Sequence, residues 1–306
     1  ATLMREPSAK RQQLLLHAAY DAGFRHFDVA PSYGFGAAEH ALGKFLRSRP
    51  EGVTVGTKVG ILARGSPGLM RLIQAPARAL LRRYPGLRGR ATHTVGAAMH
   101  TTTNFSVAAC TRSLENSLRA LGIARIDVLL LHDVRPPDVA TDGLLEWLQT
   151  QKERGVVLNV GLATSPAAAN EILSGRAAFF DAVQVPSNIL APATAVLPDD
   201  ITRLRLTHGA LTYPLGWAEQ RVREDPTWAR LLSEHAGEDV TTREALARLI
   251  LAWAYFENPH GVVILGTSKE AHLRSAATAL EAFDGTRLAA VSHFMRELAS
   301  GLGDSC

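Results

Sequence analysis

Four polar residues stand at or just past the ends of short apolar runs: Asp28 in RHFDVA, Tyr33 one loop later, Lys58 closing VTVGTK and His132 closing IDVLLLH. A carboxylate, a phenol, an ammonium and an imidazole gathered in one place can deliver a proton to a carbonyl oxygen. A phenol of ordinary pKa, about 10, is a reluctant acid. A lysine beside it favours the phenolate and lowers that value, and an aspartate beside the lysine keeps the ammonium charged in a low-dielectric pocket. A histidine donor orients the carbonyl and stabilises the charge that develops on its oxygen. Tyr33 is therefore the expected acid/base, Lys58 and Asp28 the pair that tunes it, and His132 the carbonyl donor. Taken singly, three of them have plainer readings: Asp28 as a turn cap, Tyr33 as a packing aromatic, His132 as a core histidine. Lys58 is harder to dismiss, because lysine is rarely buried unless paired.

These side chains meet only if their strands run parallel and end at one mouth. Strand-like runs occur at 25–30, 53–58, 126–132, 157–163, 180–186, 206–212 and 261–266. Helical patterns lie before, between or after them at 8–22, 36–48, 107–121, 140–154, 166–174, 217–235, 241–256 and 286–300, with a weaker one at 192–204. Strands alternating with amphipathic helices imply a parallel sheet with helices outside, because parallel pairing needs long crossovers. The expected fold is an α/β (β/α)8 TIM barrel whose first strand is truncated, since only ATLM precedes the first helix region. An open doubly wound sheet would carry G-x-G-x-x-G after its first strand, and none follows RHFDVA. No repeat or low-complexity linker marks a second domain, so 1–306 is expected to form one. The connection 60–104 is too long for an ordinary βα loop. Such loops lie at the C-terminal face of a barrel, so it is read as a lid or specificity loop over the active site. An inert excursion and a partner-binding surface helix are its other readings.

Composition excludes several classes. With 46% hydrophobic and 20% charged residues the chain reads as an ordinary globular protein. A net charge of +4 over 306 residues is small and its arginines are scattered, so no nucleic-acid partner is expected. Two cysteines, Cys110 and Cys306, imply no disulfide framework and fit a reducing, cytoplasmic setting. No apolar run approaches the ~20 residues of a membrane span. The histidines show no metal-ligand spacing, and Ser165 and Ser268 lie in no nucleophile elbow, so neither a metal site nor a serine hydrolase is expected.

The segments FDVAPSYGFGAAEHALGKFL, VTVGTKVG, SLENSLRALGIARIDVLLLHD and VVILGTSKEAHLRSA, in this order over nearly the whole chain, resemble the aldo-keto reductase family. The resemblance implies a metal-free barrel that uses NADP, with NAD as the other possibility, to interconvert a small-molecule carbonyl and an alcohol. It gives Tyr33, Asp28, Lys58 and His132 the roles reasoned above. It also implies Gln184 and Thr164 near the nicotinamide carboxamide, and Gly266, Thr267, Ser268, Lys269, His272 and Arg274 along the adenosine phosphates. The physical reading of that last segment agrees: a glycine admits close backbone approach and a helix start offers free amides. Three positions depart from the family. GLATS presents Ala163 and Thr164 where serine and asparagine are frequent, LTYPLG presents Thr212 or Tyr213 where an aromatic ring stacks on nicotinamide, and Ser275 and Ala276 replace a Glu-Asn pair. The competing expectation is a cofactor-binding regulatory or interaction protein with the same barrel and little turnover.

Overall fold

A computed structural model describes residues 2–48, 50–61, 102–197 and 202–301. Seven strands, β1 (His26–Asp28), β2 (Thr54–Val59), β3 (Ile126–His132), β4 (Val157–Ala163), β5 (Ala182–Pro186), β6 (Leu204–His208) and β7 (Val262–Ile264), pair in parallel and in chain order. Before, between and after them run α1 (Ala9–Asp21), α2 (Ala37–Leu46), α3 (Val107–Leu121), α4 (Asp142–Glu153), α5 (Pro166–Arg176), α6 (Pro214–Glu224), α7 (Pro226–Ala236), α8 (Arg243–Glu257), α9 (Glu270–Ala277) and α10 (Gly285–Gly301). This is an α/β barrel of the (β/α)8 type.

Unbroken sequential order rules out the doubly wound alternative, which reverses direction at a switch point. Curvature is visible in one contact: Gln184 Nε2 on β5 donates to Asp28 Oδ1 on β1 at 2.9 Å. In a flat sheet those strands, four places apart, would lie about 19 Å from each other. The two side chains touch only because the sheet curls around a lumen.

Period-two alternation sorts the strand residues. Val128, Leu130, Ala163, Ala182 and Leu206 form the buried interior of the barrel, joined by Leu204, Val262 and Ile264. The opposite faces, including Phe27, Val55, Leu129, Leu131, Val160 and Val183, pack outward against the helices in a larger cluster. Helix α2 approaches α3 closely enough that a Cβ on Gly43 would lie 2.4 Å from Ala120 O, so only glycine fits there.

Three expectations change. Residues Thr2–Arg5 form a 3-10 turn instead of the end of a strand. A Cβ on Gly266 would come within 2.6 Å of Thr2 Oγ1 and one on Gly34 within 2.6 Å of Met4 Cγ, so this turn lies against the loops that follow β7 and β1. Among the described residues β7 and β1 share no ladder. The helix expected at 217–235 is two helices, because Pro226 forces Asp225 out of helical geometry (φ −135°, ψ 88°) and the Asp225 side chain then caps α7 by accepting from Trp228 N at 2.9 Å. Among the described residues of the weak helix at 192–204, Ala193–Ala195 form a 3-10 turn and β6 has already begun at Leu204.

At the root of the long connection Ile61 bridges Thr103 antiparallel, and Asn104 N donates to Gly60 O at 2.7 Å, so its two ends meet at the top of β2. The rest of the expected 60–104 lid lies outside the described residues.

Candidate active site

Asp28 and Lys58 face each other in the lumen because their strands are in register, Asp28 beside Gly56 and Lys58 one inward position higher. Lys58 Nζ lies 2.6 Å from each Asp28 carboxylate oxygen and donates to Val29 O at 3.2 Å. Lys58 is 1% exposed and the Asp28 side chain 8%. The ammonium is thus removed from water with all three protons engaged, which is how a buried lysine is tolerated. Asp28 Oδ1 also accepts from Gln184, so the carboxylate is held from two sides of the barrel. Behind β2, Thr57 Oγ1 donates to the buried Glu39 at 2.8 Å, tying the strand that carries Lys58 to α2.

Tyr33 returns over this pair because the chain turns sharply after β1. Tyr33 N donates to Ala30 O at 3.0 Å, and Gly34, Phe35 and Gly36 follow at φ 61°, 55° and 84°. Phe35 is one of two non-glycine residues with positive φ among the described residues, and Asp133, directly after His132, is the other. Such conformations persist where surrounding structure enforces them, commonly at functional sites. The Tyr33 ring centroid is 5.2 Å from Lys58 Nζ and 6.0 Å from the His132 ring, which meets it edge-on at 84°. His132 arrives from the end of β3, level with Ala163 of β4.

Burial sets the protonation states. His132 is lowered to about 4, first by desolvation and then by the Lys58 charge, against the pull of Asp133 and Asp28. It is a neutral imidazole at neutral pH and offers one N–H. Tyr33 is raised above 10: desolvation outweighs the Lys58 ammonium, which pulls down by its charge and a side-chain hydrogen bond. Lys58 thus acts on the phenol in the expected direction, and burial outweighs it. Asp28 grips the ammonium with both oxygens and raises the phenol in its turn, by less than the Lys58 charge lowers it. The site holds a protonated phenol.

Other expected residues are placed as follows. Thr164 follows β4 and its hydroxyl donates to Val134 O at 2.7 Å. Around the start of α9, Thr267 Oγ1 accepts from Lys269 N at 3.1 Å and sits 3.2 Å from His272 Nδ1, while Gly266, Ser268, Lys269, His272 and Arg274 are exposed. Thr212 and Tyr213 lie in the loop beyond β6, Tyr213 being 65% exposed. The residue that ends β6 is His208, whose imidazole is lowered by desolvation and feels Asp28, Lys58 and Asp133. His26, at the base of β1, is likewise turned toward the lumen. Neither was singled out from sequence. Strict alternation along RLRLTH, with Leu204 and Leu206 inward, would have pointed to His208, and the step of two back from Asp28 would have pointed to His26.

Comparison with known proteins bears on the family and the fold. A model of the aldo/keto reductase family matches residues 3–204. Pyridoxal 4-dehydrogenase of Microbacterium luteolum is 36% identical over 122 residues, which is 39% of this chain and 33% of that protein. D-threo-aldose 1-dehydrogenase of a Pseudomonas species is 32% identical over 165 residues, 53% of this chain and 46% of that protein. The chain thus spans less than half the length of either relative. Among solved structures, the holo form of an aldo-keto reductase from Bacillus halodurans superposes with a TM-score of 0.69 at 17% identity, covering 96% of this chain and 90% of that one. A glycerol dehydrogenase from Gluconobacter oxydans gives 0.60 at 19% identity, covering 88% and 79%. At such identities the structures speak for the fold alone; the family model, matched over most of the chain, speaks for descent, and the chain belongs to the aldo/keto reductase family.

Proposed function

We propose that this chain is an oxidoreductase that interconverts a small aldehyde, ketone or sugar with its alcohol by hydride transfer, with Tyr33 as general acid/base. The observation that carries the reading is the convergence of a protonated phenol, a neutral imidazole and a buried Lys58–Asp28 pair at one end of the lumen. Tyr33 gives its proton to the carbonyl oxygen during reduction, and the phenolate takes it back from the alcohol during oxidation. His132 holds that oxygen through its N–H. Lys58 keeps the phenolate form accessible, and Asp28 keeps Lys58 charged and fixed.

The donor chemistry near α9 fits a phosphorylated cofactor: exposed Lys269 and Arg274, the Ser268 hydroxyl and the first amides of α9 suit an anion. Gly266, Thr267 and His272 complete that segment, and Gln184 and Thr164 are nearest in role to the carboxamide. NADP is the preferred cofactor, NAD the second. When bound, the nicotinamide supplies or takes up the hydride. Relatives named for pyridoxal and for aldose support a small hydroxylated carbonyl or alcohol as substrate. Among the described residues no helix is long and apolar enough to cross a membrane.

Titration of NADPH fluorescence with protein, followed by turnover on an aldehyde and sugar panel, tests the reading. Tyr33→Phe should lower kcat about 10²- to 10⁴-fold with cofactor binding retained; a kcat within a few-fold of the parent rejects Tyr33 as the acid. Tight binding with no turnover on any member of the panel would favour the regulatory alternative.

A further inference from the structure

His26 lies one inward step below Asp28 on β1. Its Nδ1 is 2.9 Å from Thr54 Oγ1, while its Nε2 is buried with no hydrogen-bond partner among the described residues. The Thr54 hydroxyl also points at Arg25 O, at 3.5 Å, which leaves its oxygen to accept from Nδ1–H and leaves Nε2 with a free lone pair. That nitrogen faces the inward side of Gly56: a Cβ there would lie 3.1 Å from His26 Nε2 and 3.5 Å from Asp28 Oδ1. The absence of a side chain at Gly56 is what allows the imidazole and the carboxylate to share one pocket beneath the tetrad.

We propose that His26 is a positioning residue for Asp28: on protonation its Nε2–H turns to the Asp28 carboxylate, drawing negative charge away from Lys58 and so changing the acidity of Tyr33. The groups facing His26 are Asp28 on its own strand, Lys58 on β2, Asp127 on β3 and the Thr54 hydroxyl. Burial and Lys58 disfavour the imidazolium and the two carboxylates favour it, with burial the largest influence, so protonation falls on the acid side of 6.5. Asp28 Oδ1 already accepts from Lys58 and Gln184, and a third donor there competes with Lys58 for the same oxygen. With Lys58 less neutralised, its field favours the phenolate more strongly, and Tyr33 becomes a better acid below the His26 pKa than above it.

The kinetic consequence rests on Tyr33 being the acid, but one measurement does not. Histidine Cε1 NMR, with the His26 signal assigned by its loss in His26→Asn, follows the imidazole in a protein of any activity. Asp28→Asn should lower the His26 pKa by about 0.5 or more, since a nearby carboxylate favours the charged form. Gly56→Ala, which keeps both groups and inserts a methyl between them, should also lower it, and serves if Asp28→Asn does not fold. In turnover, His26→Asn should remove one acid-side inflection from the pH profile of kcat for reduction and leave the cofactor KM within about 2-fold, since His26 lies below Asp28 on β1, away from the strand ends. A His26 titration unmoved by both Asp28→Asn and Gly56→Ala, or a His26→Asn enzyme slowed by the same factor at every pH, overturns the proposal. An enzyme with no turnover at all would sink the oxidoreductase reading and leave the NMR arm to decide this one.

Discussion

Removing Asp28 should damage stability as well as chemistry. Two unit charges 2.6 Å apart attract by about 6 kcal/mol at an effective dielectric near 20. Desolvation offsets much of this in the intact pair, but a single substitution leaves the other charge buried without its partner, which costs about 3–5 kcal/mol. In Asp28→Asn the ammonium of Lys58, 1% exposed, retains the Val29 carbonyl and a neutral amide, and Gln184 loses an ionised acceptor. Lys58→Met leaves the carboxylate with the Gln184 amide as its remaining side-chain donor among the hydrogen bonds described. Denaturant unfolding at pH 7 should show each variant about 3–5 kcal/mol less stable than the parent. The double variant Asp28→Asn/Lys58→Met should be less destabilised than the sum of the two by about 2 kcal/mol or more. Single losses under about 1 kcal/mol, or strict additivity, would mean that the pair is solvated or does not form, and the electrostatic account of Tyr33 would fall with it.

Two further outcomes follow from the structure. Because His132 is held near 4 against an unfolded value of about 6.5, the unfolded chain binds more protons between those limits; stability should decline as pH drops from 6.5 to 4, by up to about 3 kcal/mol, and His132→Asn should flatten that slope in pH-dependent denaturation. Gly43→Ala would place a methyl 2.4 Å from Ala120 O and should cost about 1–3 kcal/mol with kcat largely kept, whereas an unchanged midpoint would show that α2 and α3 separate easily.

The barrel was legible because its signals are local and repeated. Buried strands such as IDVLLLH and VLNVGLA alternate with amphipathic helices, and parallel pairing follows from the length of the crossovers. Boundaries at special residues were less legible. The break at Asp225–Pro226 was carried by the proline, yet the hydrophobic pattern runs straight through it. The strand expected at 206–212 lies at Leu204–His208, so that His208 ends it where the letters put it in mid-strand. Ionisable types at strand ends announced Asp28, Tyr33, Lys58 and His132 because such residues are conspicuous beside apolar runs.

The letters alone determined which chemical groups stand at the strand ends and that the strands run parallel, since both depend on composition and period over a few residues. Only the folded barrel decided who touches whom. Gln184 reaches Asp28 across 156 positions of chain, His26 comes under the carboxylate through the space at Gly56, and burial, set by every surrounding element, raises Tyr33 despite the lysine beside it. Contacts across a lumen and the loss of water depend on closure of the whole sheet, and no local stretch of sequence carries that information.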